Sequence, residues 1–187
     1  MTEPVWRLAN KDDVLILRQF ECATPKRRLG SSLRTVDTRE WERKVQSYFR
    51  AGALSDMNGS AAQGARLMLG FLDDDLLAAC YAHEHLADEA LAGRLRDALD
   101  YSGPVRNFKA IGVSIDHRKQ GGSVADIAIE HAFGDMLASE PEDSVLVQAR
   151  IDPRNVASKK MAERNEMKHL ASETSGDPLE TWAIIIS

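Results

Sequence analysis

Apolar and polar positions switch between two spacings along this chain, and the switches mark its elements. Val5 to Ala9 predicts a short strand, and Asn10 predicts the cap of a helix reaching Cys22, with Val14, Leu15, Leu17 and Phe20 at mixed helical spacing. Ala23 to Val36, with Pro25, Lys26, Arg27, Arg28 and Gly30, predicts a loop whose basic cluster is solvated. Asp37 followed by Glu40 resembles a capping box for a helix carrying Trp41, Val45, Tyr48 and Phe49 on one side. Ala51 to Gly64, rich in small residues, predicts another loop. Ala65 to Leu72 and Leu76 to His85 predict a hairpin turned at Asp73-Asp74-Asp75. Ala87 to Leu99 has helical composition, broken by Tyr101 to Pro104.

The second half alternates more regularly. Val105 to Ile115 predicts a strand, Gly121 to Ala138 a helix, and Val145 to Arg150 a strand. A helix then runs from Asp152 or Pro153 to about Glu166. Lys168 to Ser172 and Leu179 to Ile186 predict two closing strands joined at Gly176-Asp177-Pro178. Alternation of this kind predicts one three-layer α/β domain over residues 1–187 with a mixed sheet.

Composition narrows the function classes. The 187 residues carry a net charge of −5 and show no basic stripe, so nucleic acid is not the expected partner. No apolar run reaches the ~20 residues needed to span a bilayer. Cys22 and Cys80 form no CxxC pair, which fits a reducing cytoplasm and argues against a disulfide framework or a structural zinc.

The chemistry concentrates in Ile111 to Val124, IGVSIDHRKQGGSV. An apolar strand enters a Gly-Gly turn that opens an amphipathic helix. Glycine lets the backbone approach a ligand closely, and the unpaired first amides of a helix, with its dipole, favour an anion. A pyrophosphate would be held by the amides from Gln120 to Val124. There is neither a Walker loop nor a dinucleotide fingerprint.

Arg118, Gly121 and Ser123 resemble the Arg/Gln-x-x-Gly-x-Gly/Ala motif of the GNAT superfamily of N-acetyltransferases, with Ser123 where Gly or Ala is usual. The later stretch from Asn155 through Ser158 and Met161 to Glu163 is similar to that family's Asn-x-x-Ser/Ala helix. The two motifs span Ile111 to Met167, and the element order follows the family over the whole chain.

The resemblance implies a GNAT-like αβα fold whose mixed, mostly antiparallel sheet is splayed between its fourth and fifth strands. It implies acetyl-CoA as cosubstrate and a small-molecule or peptide amine as acceptor. Val113 and Ile115 would pair with the pantetheine arm. Arg118, Lys119, Gln120, Gly121, Gly122, Ser123 and Val124 would hold the phosphates, and Asn155 and Ser158 would meet the pantetheine or pyrophosphate. Two departures stand out. Ala162 occupies the position of the family's frequent proton-donating tyrosine, and Asn165-Glu166 replaces a usual Leu-Gly. They leave room for a second reading, a GNAT-fold CoA-binding or interaction module without catalysis.

Acetyl transfer needs a neutral amine, so a proton must be removed from a group whose pKa lies near 10.4. Base candidates fall at His83-Glu84-His85, where strand alternation sets Glu84 opposite both histidines. Glu84 is the first choice and His83 the second. An HxH pair without a third local ligand predicts no metal site. Tyr48 and Tyr101 are phenols able to donate a proton, and both are expected to serve packing first. Cys80 is expected in the core, and His117 at the surface near the CoA phosphates. The edge at Leu179 to Ile186 is the expected surface for a homodimer.

Overall fold

The computed structural model describes residues 3–24, 40–58, 63–72, 76–118, 123–170 and 178–187. Seven strands form one sheet: β1 (Val5–Leu8), β2 (Arg66–Phe71), β3 (Leu77–His85), β4 (Val105–Val113), β5 (Val145–Ile151), β6 (Lys168–Leu170) and β7 (Glu180–Ile186). Their order is β1-β2-β3-β4-β5-β7-β6. All pairings are antiparallel except β4 with β5. That exception follows from connectivity, because helix α5 (Ser123–Ala138) carries the chain across one face between the two strands.

Alternation along the strands divides the core. Tyr81, Phe108, Val145, Val147, Ala149 and Ile151 pack on one face against Ile129, Ala132 and Met136 of α5 and Ala162 of α6 (Val156–Arg164). On the other face, Leu67, Leu69, Cys80 and Ala82 meet Leu17 of α1 (Val14–Gln19), Phe49, and Ala53 of α3 (Ala53–Asn58). Farther along that face, Val105, Leu146 and Ala183 meet Ala92 and Leu95 of α4 (Glu89–Leu99). This is the expected αβα arrangement. No helix of the described residues is long and apolar enough to cross a membrane.

Local chemistry moves several boundaries. Asn10 does cap, through a capping box with Asp13, but it caps a 3-10 turn at Lys11–Asp13, and α1 ends at Gln19. The small-residue stretch expected as loop instead contains α3. It follows a π-turn at Tyr48–Gly52 that continues α2 (Glu40–Ser47), because Phe49 and Ala53 bury against β2 and β3. Asp37, the Asp73–Asp75 turn and Gly176-Asp177 lie outside the described residues. Asp88 caps α4, and Asn155 rather than Asp152 caps α6. Strand β7 is not an edge: it lies between β5 and β6, and Glu180 and Ile184 to Ile186 extend beyond the β6 pairing. The premise for a dimer edge at that strand is corrected accordingly.

Candidate active site

The site is built on a parting of strands. Strands β4 and β5 pair only from Val105–Leu146 to Phe108–Ala149. Beyond that point β4 stays with β3 while β5 stays with β7. The cause is visible in the β3–β4 register. Ala82 pairs Ala110 and His83 pairs Phe108, so Lys109 is an extra residue. A bulge bends its strand and increases its twist, and this one falls at the last β4–β5 pair. It also breaks alternation: Phe108 and Ile111 face α5, whereas Ala110 faces the α1–α3 side.

The parting exposes main chain. Ser114 N–H donates to the Ala78 carbonyl at 2.8 Å. Amide directions alternate along a strand, so Gly112 also points toward β3, while Ile111 and Val113 point into the opening. The Val113 carbonyl accepts from Arg118 Nε at 3.3 Å. Ile115 departs from its expected role. Ser114 ends the strand by accepting from the Asp116 amide, and Ile115, in the 3-10 turn that follows, donates its amide to the Glu21 carbonyl at 2.9 Å.

Helix α2 lies across the mouth. Glu42 Oε1 accepts from Arg118 Nη1 at 3.0 Å beyond the end of β4. The Arg154 guanidinium, beyond the end of β5, stacks 5.4 Å from the Trp41 ring. Arg118 also donates to the Cys22 carbonyl. Its side chain therefore braces the mouth. Lys119, Gln120, Gly121 and Gly122 lie outside the described residues, and Ser123 opens α5. Val124 buries its side chain against Ala78, Ala79 and Ala128. Asn155 and Ser158 are brought together, but onto each other: Asn155 Oδ1 accepts the Ser158 amide at 3.2 Å, and its Nδ2 donates to Ser158 Oγ at 2.8 Å. This is a helix cap. His117 is half-buried rather than exposed, and its two ring nitrogens are buried without partners among the described residues.

The two base candidates separate cleanly. His83 faces α5 and is buried, with Nε2 2.9 Å from Asp135 Oδ2 and Nδ1 3.0 Å from Arg106 Nη1. Arg106 can only donate, so Nδ1 accepts and Nε2 carries the proton toward Asp135. Burial, with Arg106 adding to it, lowers the His83 pKa against the pull of Asp135. Both nitrogens are engaged in a structural network, which continues through Arg66 to Asp135 at 2.8 Å and Arg106 to Glu140 at 2.5 Å. The structure does not bring His83 to the opening.

Glu84 faces the other side. Its carboxylate accepts from Lys109 Nζ at 3.1 Å, and Lys109 also donates to Asp56 at 2.6 Å. Burial opposes the lysine's charge, but hydrogen bonds to Asp56 and Glu84 raise its pKa. The ammonium stands 5.4 Å from the Tyr48 ring centroid. Burial first, then the Asp56 charge, holds the Tyr48 phenol protonated. Tyr101, by contrast, donates to the Ser144 carbonyl at 2.8 Å, and Cys80 is fully buried with its thiol pushed well up by desolvation. Lys109, Asp56 and Gln148 belong to no motif in the sequence. Gln148 alone had a signal there, as a polar residue inside the apolar run Val145 to Ala149.

Comparison with known proteins agrees with this geometry. Neither a protein-family profile nor a curated protein matches the sequence. Solved structures do resemble it. AtaTR bound with acetyl-CoA superposes with a TM-score of 0.60 at 10% identity, covering 99% of this chain and 94% of that one. Arabidopsis thaliana NAA60 in complex with acetyl-CoA gives 0.58 at 14%, covering 98% and 97%. An acetyltransferase of the GNAT family from Desulfovibrio desulfuricans, described as putative, gives 0.53 at 13%, covering 97% and 98%. The fold of this chain is that of the GNAT-type acetyltransferases.

Proposed function

We propose that this protein, acting as a single domain, transfers the acetyl group of acetyl-CoA to a primary amine of a small molecule or peptide. The observation that carries the reading is the opening between β4 and β5, faced by the Ile111 and Val113 amides. An extended pantetheine arm carries amide groups of its own and can pair with such backbone as a further strand would. In this reading a strand amide such as that of Val113 stabilises charge on the thioester oxygen. The stretch from Arg118 through Lys119, Gln120, Gly121 and Gly122 to Ser123 and Val124 would hold the phosphates in this reading, as the sequence motif before α5 implies. Asn155 and Ser158 support the far wall by fixing the start of α6.

In this reading the amine attacks in its neutral form, its first proton having passed to water, Glu84 takes a second proton from the nitrogen as the C–S bond breaks, and the reaction needs no enzyme nucleophile. The amine lone pair attacks the carbonyl carbon, the N–C bond forms, and the C–S bond breaks with its electron pair leaving on sulfur. Ala162 offers no proton donor, but a thiol with a pKa near 8.5 is a tolerable thiolate in weakly alkaline solution. Ala162 is also what favours the alternative, a CoA-binding module without turnover. The Glu84–Lys109–Asp56 cluster at the opening favours catalysis.

Thermal unfolding with and without acetyl-CoA tests the first half. At ~100 times its dissociation constant a ligand adds about 2.7 kcal/mol, which raises the midpoint by roughly 5–11 °C for a domain of this size. Thiol release with a panel of primary amines tests the second. Glu84→Gln should cut turnover by about 10²–10⁴ while leaving the acetyl-CoA shift intact. An absent shift at millimolar acetyl-CoA sinks the proposal. A shift with no release for any amine converts it to the binding-module reading.

A further inference from the structure

Three residues on the α1–α4 side of the sheet stand in one register row. Glu84 pairs Asn107 across β3 and β4, and Asn107 pairs Gln148 across β4 and β5. Their neighbours fix the face. Arg106 and Phe108 turn to the α5 side, as do Val147 and Ala149, while Leu146 meets α4. Directly opposed side chains lie about 5 Å apart, so the row is a continuous polar strip. It runs between the apolar cluster under α1 and α3 and the one under α4. Its last pair is one step before the strands part.

Gln148 is the anomaly in that strip. It is 1% exposed, its Nε2 donates to Asn107 Oδ1 at 2.6 Å, and its Oε1 is buried with no hydrogen-bond partner among the described residues. A buried carbonyl left unpaired destabilises a fold, and an apolar side chain of the same size would pack there without that penalty. The strand is otherwise apolar, with Val145, Leu146 and Val147 fully buried. An acceptor retained in such surroundings, in line with Glu84 and beside the opening, points to a donor supplied from outside the protein.

We infer that Gln148 Oε1 accepts a hydrogen bond from the acceptor nitrogen and thereby makes the protein selective for primary over secondary amines. The inference rests on the acetyltransfer reading. A primary amine that has attacked the thioester carries two N–H protons. One passes to Glu84 as the C–S bond breaks, and the other is held by Gln148. A secondary amine carries one proton, which Glu84 requires, so Gln148 stays unpaired throughout. The nitrogen is positively charged at that stage, which strengthens the bond. Gln148 is thus a specificity-determining contact that acts on the reacting nitrogen.

Ethylamine and dimethylamine are isomers that differ in N–H count, and they serve as the probes. Thiol release from acetyl-CoA is measured with each for the wild type, Gln148→Met and Gln148→Glu, alongside the midpoint shift caused by acetyl-CoA alone. The wild type should prefer ethylamine. Gln148→Met, similar in shape and without the acceptor, should lose about ten- to a hundredfold in kcat/KM for ethylamine and little for dimethylamine, so the preference collapses. Its acetyl-CoA shift should be unchanged, and its own midpoint should rise by about 2 °C as the unpaired carbonyl is removed. Gln148→Glu keeps an acceptor oxygen and should keep the preference. A wild-type preference retained by Gln148→Met overturns the inference while leaving the acetyltransfer reading in place. A wild type that neither shifts with acetyl-CoA nor releases thiol with either amine overturns both.

Discussion

Arg106→Met probes the buried network behind the sheet. The Arg106 side chain is 2% exposed and that of Glu140 is 4% exposed. The guanidinium donates to Glu140 at 2.5 Å, to the Gly64 carbonyl at 2.9 Å and to His83 Nδ1 at 3.0 Å. Methionine fills much of the volume and none of these roles. Among the described residues Glu140 would keep only the His85 ion pair, with Nδ1 3.6 Å away. Breaking one side of a buried ion pair costs about 3–5 kcal/mol, chiefly through the charge left behind. At roughly 2–4 °C per kcal/mol the midpoint should fall by about 6–20 °C. Urea unfolding of the wild type, Arg106→Met, Glu140→Gln and the double variant gives the full cycle. Neutralising Glu140 in the Arg106→Met background should recover about 1–3 kcal/mol relative to additivity. A single-variant loss below about 1 kcal/mol, or strict additivity, would refute the view that this pair is desolvated and coupled.

Two further stability predictions follow from backbone and charge. Glu166 has φ of 61° after α6, where glycine carries no steric penalty, so Glu166→Gly should stabilise by about 1 kcal/mol in chemical denaturation; a loss would show that the glutamate side chain contributes something its conformation conceals. Burial works to raise the Asp135 pKa, but hydrogen bonds from His83 and Arg66 prevail and bring it from 3.8 to about 2. A carboxyl depressed on folding stabilises above its unfolded pKa, and that contribution is lost as pH falls through the folded value. Stability should therefore decline between about pH 4 and pH 2, and Asp135→Asn should flatten that window; equal slopes for both proteins would contradict the assignment.

The sequence reveals elements whose burial has a period. The amphipathic stretches around α2 and α4 are of this kind, Val145 to Ile151 is legible instead as a continuous apolar run, and the Arg118 and Asn155 motifs mark the two strand ends that flank the opening. What was illegible has identifiable causes. Ala51 to Asn58 reads as a loop from its small residues, yet Ala53 is small because it packs against the sheet. The bulge at Lys109 leaves no mark in an apolar–polar pattern, because it is a register relation between β3 and β4. It nevertheless turns Lys109 toward Glu84. Alternation placed His83 and Glu84 on opposite faces, but it could not say that the His83 face is sealed by Asp135 and Arg106.

The parting of β4 from β5 has a consequence for how such a site persists through descent. The groups it offers at Ile111 and Val113 are peptide amides, common to every residue except proline. Side chains lining such a groove can be exchanged freely, provided the bulge and the four-pair seam at Val105 to Phe108 survive. Selection then acts on the shape of the main chain more than on residue identity. Main-chain geometry of this kind is compatible with the 10–14% identity at which this chain shares its fold with the acetyl-CoA-bound AtaTR and NAA60 structures.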